Sequence, residues 1–221
     1  MGRGGESPAP LLMPSQPPAR PHCSLCLRPQ RGCLCRWVTP VEHTVEVLIL
    51  QHPQEVAQAK GSARLLHLCL PHSRMVAGEV FDETALRALL AGPRQSVLLY
   101  PDTPQGSTLG LSAPPPLAPG ALSDPARLRL VVLDGTWRKS RKMLYCNPLL
   151  QLLPRLPLQG LPVSRYRIRK AHRADQRSTL EATCAALAHL ERGPERFEPL
   201  LAAFDGFVAQ QLAMRPQGWS A

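Results

Sequence analysis

The sequence predicts an α/β fold: a mainly parallel sheet with flanking helices, preceded by a small four-cysteine appendage. Three observations carry this. Short apolar runs rich in Val, Ile and Leu recur at 46–50, 97–100 and 128–133, and such runs read as buried strands. Stretches of helical character separate them, and strands alternating with helices favour parallel pairing. Four of the seven cysteines fall within 23–35. The chain divides accordingly into a disordered lead over 1–20, a metal-binding knuckle over 21–40 and a main domain over 41–215. At 221 residues, such a domain can bury a core without staples.

The lead is rich in Pro, Gly and Ser and has no means of forming a core. Its prolines also interrupt any signal-peptide centre. The cysteine cluster follows, with the spacing Cys23-x2-Cys26-x6-Cys33-x-Cys35 and the turn formers Pro29 and Gly32 between the pairs. Four thiolates at short spacing satisfy a tetrahedral Zn²⁺ with a closed, structural shell. An iron–sulfur cluster is the competing metal reading, with His22 a substitute ligand. Seven cysteines are an odd number and no export signal precedes them, which argues against disulfides and for the cytoplasm.

The first strand, 46–50, ends on Gln51-His52-Pro53-Gln54-Glu55, where Pro53 stops strand pairing. His52 and Glu55 could face a ligand there, or be loop residues. Helical patterns over 57–70 and 84–90 come next, the second capped by Asp82 or Thr84. The strand at 97–100 ends at Pro101. A loop over 102–125 with six prolines follows, long enough to be functional or disordered.

The stretch from 128 to 143 is the most informative. Its apolar strand ends on Asp134, and Gly135 and Thr136 turn the chain into a helix expected to run to about 153. Ligands of open α/β sheets bind beyond the carboxyl ends of strands, at such turns. Trp137 and four cations, Arg138, Lys139, Arg141 and Lys142, follow at once. Helix N-termini favour acids over bases, so the cations point to an anion outside the protein. The plainer alternative makes Asp134 a cap, Trp137 core and the cations a solvated face.

After the punctuated connector 154–162, Arg165-Tyr166-Arg167-Ile168-Arg169-Lys170 reads as a fourth strand. It would put Arg165, Arg167 and Arg169 on one face and Tyr166, Ile168 and Lys170 on the other. A charged edge strand has the same pattern. Ser178-Thr179-Leu180-Glu181 fits a capping box for a helix over 182–191. The last helix, about 195–215, carries Phe197, Leu200, Leu201, Phe204, Phe207 and Val208 as a core stripe.

Charge narrows the function. The net charge is +10, and between Arg127 and Arg177 thirteen Lys and Arg face only two acids, Asp134 and Asp175. Cations concentrated around one candidate site suggest a polyanion, most often nucleic acid. No stretch has the ~20 apolar residues of a membrane span, and nothing implies a protein partner or sets an oligomeric state.

Together these residues resemble the DTW-domain family of tRNA-uridine aminocarboxypropyltransferases, similar in fold to the knotted SPOUT RNA methyltransferases. The resemblance covers the chain from Cys23 onward. It rests on the cysteine cluster, Gln51-His52-Pro53-x-Glu55, Asp134-x-Thr136-Trp137, Tyr166-x-Ile168-Arg169-Lys170 and Ser178-Thr179-Leu180-Glu181-Ala182. It implies transfer of the 3-amino-3-carboxypropyl group of S-adenosylmethionine to N3 of a tRNA uridine, with methylthioadenosine leaving. Asp134 would be base or orienter, with Thr136 and Trp137 holding the loop or stacking on the nucleobase. The donor would lie in a knotted C-terminal region lined by Leu99, Tyr100, Pro101, the Asp134 turn, Ser178, Thr179 and Glu181, with Arg167 or Arg169 on its carboxylate. Arg138, Lys139, Arg141, Lys142, Arg165 and Lys170 would meet RNA. The rival readings are an RNA methyltransferase, an aminocarboxypropyltransferase acting on ribosomal RNA, and a non-catalytic zinc-containing RNA-binding module.

Overall fold

Four short strands, all parallel, form the sheet at the centre of the chain. A computed structural model describes residues 21–102, 113–158 and 177–214. Among these, β1 (Glu46–Gln51), β2 (Ser73–Ala77), β3 (Gln95–Leu99) and β4 (Leu128–Asp134) lie in the order β2-β1-β4-β3. β1 and β4 are central and almost wholly buried, which is why their sequences are continuous apolar runs rather than alternating ones. The expected fold class therefore stands as an α/β fold with a parallel sheet.

The alternation of side chains along the strands splits the core in two. Val47, Ile49, Val97, Leu130 and Val132 face α2 (Ala63–Cys69), α6 (Thr179–Leu190) and α7 (Glu198–Ala213). Leu48, Leu50, Leu98, Val131 and Leu133 face α3 (Glu83–Leu90), α4 (Trp137–Cys146) and α5 (Pro148–Gln151). The first layer is the larger. It contains the fully buried rings of Phe197, Phe204 and Phe207, each contributing about 1.5–3 kcal/mol by burial. It also takes in Cys26 and Leu34 from the cysteine segment.

Several boundaries differ from expectation. The fourth strand of the sheet is Ser73–Ala77, an edge strand with only partial burial; the expected strand at 165–170 lies outside the described residues. The helix expected over 57–70 begins only at Ala63, because a turn closed by Gly61 N–H on Gln58 O precedes it. A separate short helix, α1 (Pro53–Val56), follows His52. The helix after Asp134 breaks at Asn147 instead of reaching 153: Pro148 removes an N–H and forces the preceding residue out of helical geometry. The last helix is preceded by a tight turn at Pro194–Phe197. No helix among the described residues is long and apolar enough to cross a membrane.

Candidate active site

Parallel register places Gln51, the last residue of β1, directly beside Asp134, the last of β4. These central strands lead into different elements, α1 and α4, and the carboxyl ends of such strands are where open α/β sheets bind ligands. Asp134 is buried, 6% exposed. Its Oδ2 accepts the Gln51 side-chain amide at 2.9 Å. Its Oδ1 accepts the Thr179 hydroxyl at 2.6 Å. Thr179 opens α6, whose capping box is complete: Ser178 Oγ accepts Glu181 N–H, and Ser178 N–H donates to Glu181 Oε2. The cap fixes α6 and so fixes the hydroxyl on the carboxylate.

Thr136 caps α4 by accepting the Lys139 N–H. Trp137 then stands 51% exposed at the first helical position, edge-on to the Tyr100 ring with centroids 5.8 Å apart. A half-exposed Trp three residues after a buried carboxylate is not core packing. It offers an apolar plane to a ring.

Behind this row, acids from α1 and from the segment after β2 answer two of the four cations of α4. Lys139 Nζ lies 2.7 Å from Glu55, both side chains largely buried. Lys142 Nζ lies 2.7 Å from Glu79, just past β2. Glu79 also accepts His52 Nε2–H at 2.7 Å, while His52 Nδ1 accepts the Gln54 N–H and so caps α1. Lys142, and secondarily His52, hold the Glu79 carboxyl below the ordinary carboxylate range. Arg138 and Arg141 are exposed and have no acidic partner among the described residues.

The four cysteine sulfurs lie within 4.8 Å of one another, with Cys23–Cys35 at 3.5 Å and Cys26–Cys33 at 3.8 Å. Tetrahedral zinc with Zn–S near 2.3 Å separates its sulfurs by about 3.8 Å. The cluster is therefore compatible with a metal such as zinc, and its compactness favours one ion over an iron–sulfur cluster, which would sit between the sulfurs and spread them. Backbone N–H groups of Cys26 and Leu25 draw the Cys23 thiol down to about 6, whereas burial and the neighbouring thiols push Cys35 up.

Of the residues singled out from the sequence, Asp134, Thr136, Trp137, Tyr100, Ser178 and Thr179 gather along one edge of the sheet, with Leu99 and Pro101 beside Tyr100. Glu181 points into its own cap. Arg165, Arg167, Arg169 and Lys170 lie outside the described residues. Gln51 enters the sequence reading only as part of the strand end 51–55, and Glu79 and Arg155 have no place in it. Gln51 carried a signal in ending an apolar strand; Glu79 and Arg155 had none, since their partners come from distant segments.

A family model described as DTW domain matches residues 20–212. The mouse protein (Mus musculus) named tRNA-uridine aminocarboxypropyltransferase 2 is 30% identical over 199 residues, covering 87% of this chain and 64% of its own length. The like-named protein of Drosophila melanogaster is 30% identical over 206 residues, 89% of this chain and 77% of its own. The tRNA-uridine aminocarboxypropyltransferase A of Arabidopsis thaliana is 29% identical over 136 residues, 56% of this chain and 50% of its own. The chain thus spans under two thirds of the mouse relative. No solved structure matches it.

Proposed function

The chain belongs to the DTW-domain family, and from that premise we propose that it is a tRNA-modifying enzyme that moves the aminocarboxypropyl group of S-adenosylmethionine to N3 of a uridine. The observation that supports this most is the Asp134 carboxylate, aligned by Gln51 and Thr179 at a strand end that leads three residues on to the exposed ring of Trp137. The names of these relatives supply the group transferred and the nucleoside.

The chemistry makes specific demands. An imide N3–H is a poor nucleophile, so Asp134 accepts or orients its proton as N3 forms a bond to the γ-carbon of the donor. The γ-carbon–sulfur bond breaks, its electron pair stays on sulfur, and methylthioadenosine leaves. Fixed on both oxygens, the carboxylate needs no reorganisation at that moment. Trp137 stacks on the uracil, the usual way an unpaired base is held. Arg138 and Arg141, without acids of their own, meet tRNA phosphates; so do Lys139, Lys142, Arg165 and Lys170 in the wider proposal. Leu99, Tyr100, Pro101, Ser178, Thr179 and Glu181 border the donor, whose bed is threaded as in the SPOUT methyltransferases. Cys23, Cys26, Cys33 and Cys35 hold a structural Zn²⁺, so residues 21–40 brace a catalytic body over 41–215.

S-adenosylmethionine labelled separately in its methyl and carboxyl groups, incubated with total tRNA, tests this reading. Carboxyl label alone should enter tRNA. Methyl label entering instead would make the chain a methyltransferase, and carboxyl label entering only ribosomal RNA would replace the substrate. Asp134→Ala should cut turnover by more than about tenfold while tRNA affinity stays within several-fold, the scale of general-base loss. Full activity in that variant would remove Asp134 from the mechanism.

A further inference from the structure

Beyond α5 the chain returns to the sheet edge. Leu98 N–H donates to Pro154 O at 2.8 Å and Leu156 N–H to Leu98 O at 2.9 Å, pairing Arg155 with Leu98 in parallel. Paired residues of parallel strands share a face, so Arg155 is carried onto the layer that holds Leu98, Val131 and α4. It is only 3% exposed. Its Nε and both Nη atoms are buried and have no hydrogen-bond partner among the described residues. The guanidinium carbon lies 5.0 Å from the centre of the Tyr100 ring. The charge of Asp102 reaches it, but no hydrogen bond forms between them.

A buried guanidinium with all its donors idle is a costly choice. The charge cannot be discharged, because Arg stays protonated in proteins, and an apolar residue of similar volume would serve packing better. Its place over Tyr100 does not meet the need. The guanidinium gains a cation–π attraction there, but its in-plane N–H groups still lack an acceptor among the described residues. Those in-plane donors form a fork that fits a carboxylate with two parallel hydrogen bonds.

The position says which carboxylate. The Arg155 guanidinium lies over the Tyr100 ring, Tyr100 meets Trp137 edge-on, and Trp137 lies three residues after Asp134. The guanidinium thus ends a row that begins at the carboxylate given the proton-accepting role. We propose that Arg155 binds the α-carboxylate of the donor, and so aims the γ-carbon rather than the methyl at the nucleophile. This rests on the aminocarboxypropyl-transfer reading above. A sulfonium activates every carbon attached to it, so the choice of group is a matter of position. A clamp on the fragment that moves, and not on the methylthioadenosine that leaves, makes that choice. An RNA phosphate is the less suitable anion, because a backbone polyanion calls for the exposed cations of α4.

Methylthioadenosine lacks the carboxylate and is the natural control. Binding of S-adenosylmethionine and of methylthioadenosine is measured by calorimetry on the full chain, wild type, Arg155→Lys and Arg155→Gln. Arg155→Gln should lose about tenfold or more in affinity for S-adenosylmethionine, with methylthioadenosine affinity within about threefold. Arg155→Lys should recover part of the loss, having the charge without the fork. The melting temperature of Arg155→Gln should equal or exceed that of wild type, since an idle buried charge is removed. Equal losses for both ligands would assign Arg155 to packing under Tyr100. Unchanged S-adenosylmethionine affinity would refute the contact, and a loss of tRNA affinity in its place would make the anion a phosphate. If wild type binds neither small ligand, the donor itself is wrong, and that result is distinct from all of these.

Discussion

Lys139 shows how one residue can look like a ligand contact and still have work inside the fold. A cation in the first turn of a helix opposes the dipole, and the sequence offers no nearby acid to offset it. The acid comes from α1, where Glu55 lies 2.7 Å from the ammonium with both side chains mostly out of water. Lys139→Met would strand that carboxylate and should cost roughly 1–3 kcal/mol in a urea melt. Arg138 and Arg141 have no such partner among the described residues. Changing both to Gln should leave the melt within about 0.5 kcal/mol. It should also reduce the slope of log affinity for tRNA against log salt by about two. An unchanged slope, or a melt as damaged as that of Lys139→Met, would mean the division between internal and external cations is drawn in the wrong place.

At the level of elements, packing between distant segments decides what local sequence leaves open. Gly206 lies within α7, where Ala would ordinarily be better by ~1 kcal/mol. A Cβ there would come within 2.2 Å of the Trp37 ring, which also donates its indole N–H to Gln210. Gly206→Ala should therefore destabilise by about 1–3 kcal/mol, as overpacking does; a gain in stability would show that Trp37 moves freely. The same contrast explains what could be read in advance. β1 and β4 were legible because burial on both faces leaves apolar runs, β3 because its Val97 and Leu98 are buried even at the sheet's other edge, and the caps of α3, α4 and α6 because capping is local. β2 was not: as an edge strand it needs no continuous apolar run, and Ser73-Arg74-Met75-Val76-Ala77 has none. Losing β2 from the reading also hid Glu79, and with it the partner of His52 and Lys142. Of the site, the Asp134 turn and the Ser178 cap were readable from the chain itself. That they share a hydrogen bond across 45 residues was not.

On the scale of the whole molecule, the cysteine cluster is joined to the layer that supports the site. Cys26 and Leu34 are buried in the same core as α6 and α7, and Gln210 on α7 donates to Cys33 O at 3.0 Å. Arg28, between the cysteine pairs, donates to the carbonyls of Ala59 and Gly61 in the turn before α2. α6 in turn carries Thr179, which holds Asp134. With Cys23, Cys26, Cys33 and Cys35 ligating one zinc, four thiolates released together would repel one another and loosen Leu34 from the core. The metal would thus act on catalysis only through stability. Purified protein should hold close to one zinc per chain, and removing it with a chelator should lower the melting temperature by roughly 5–15 °C, a few kcal/mol for a chain of this size. Cys33→Ser should weaken retention of the metal and shift the melt the same way. Activity per folded molecule, measured well below the lowered transition, should stay near wild type because the closed shell offers no site for substrate. A chelated protein that melts unchanged would show the cluster to be four free thiols, and one that stays fully folded but loses turnover would move the metal from scaffold to mechanism.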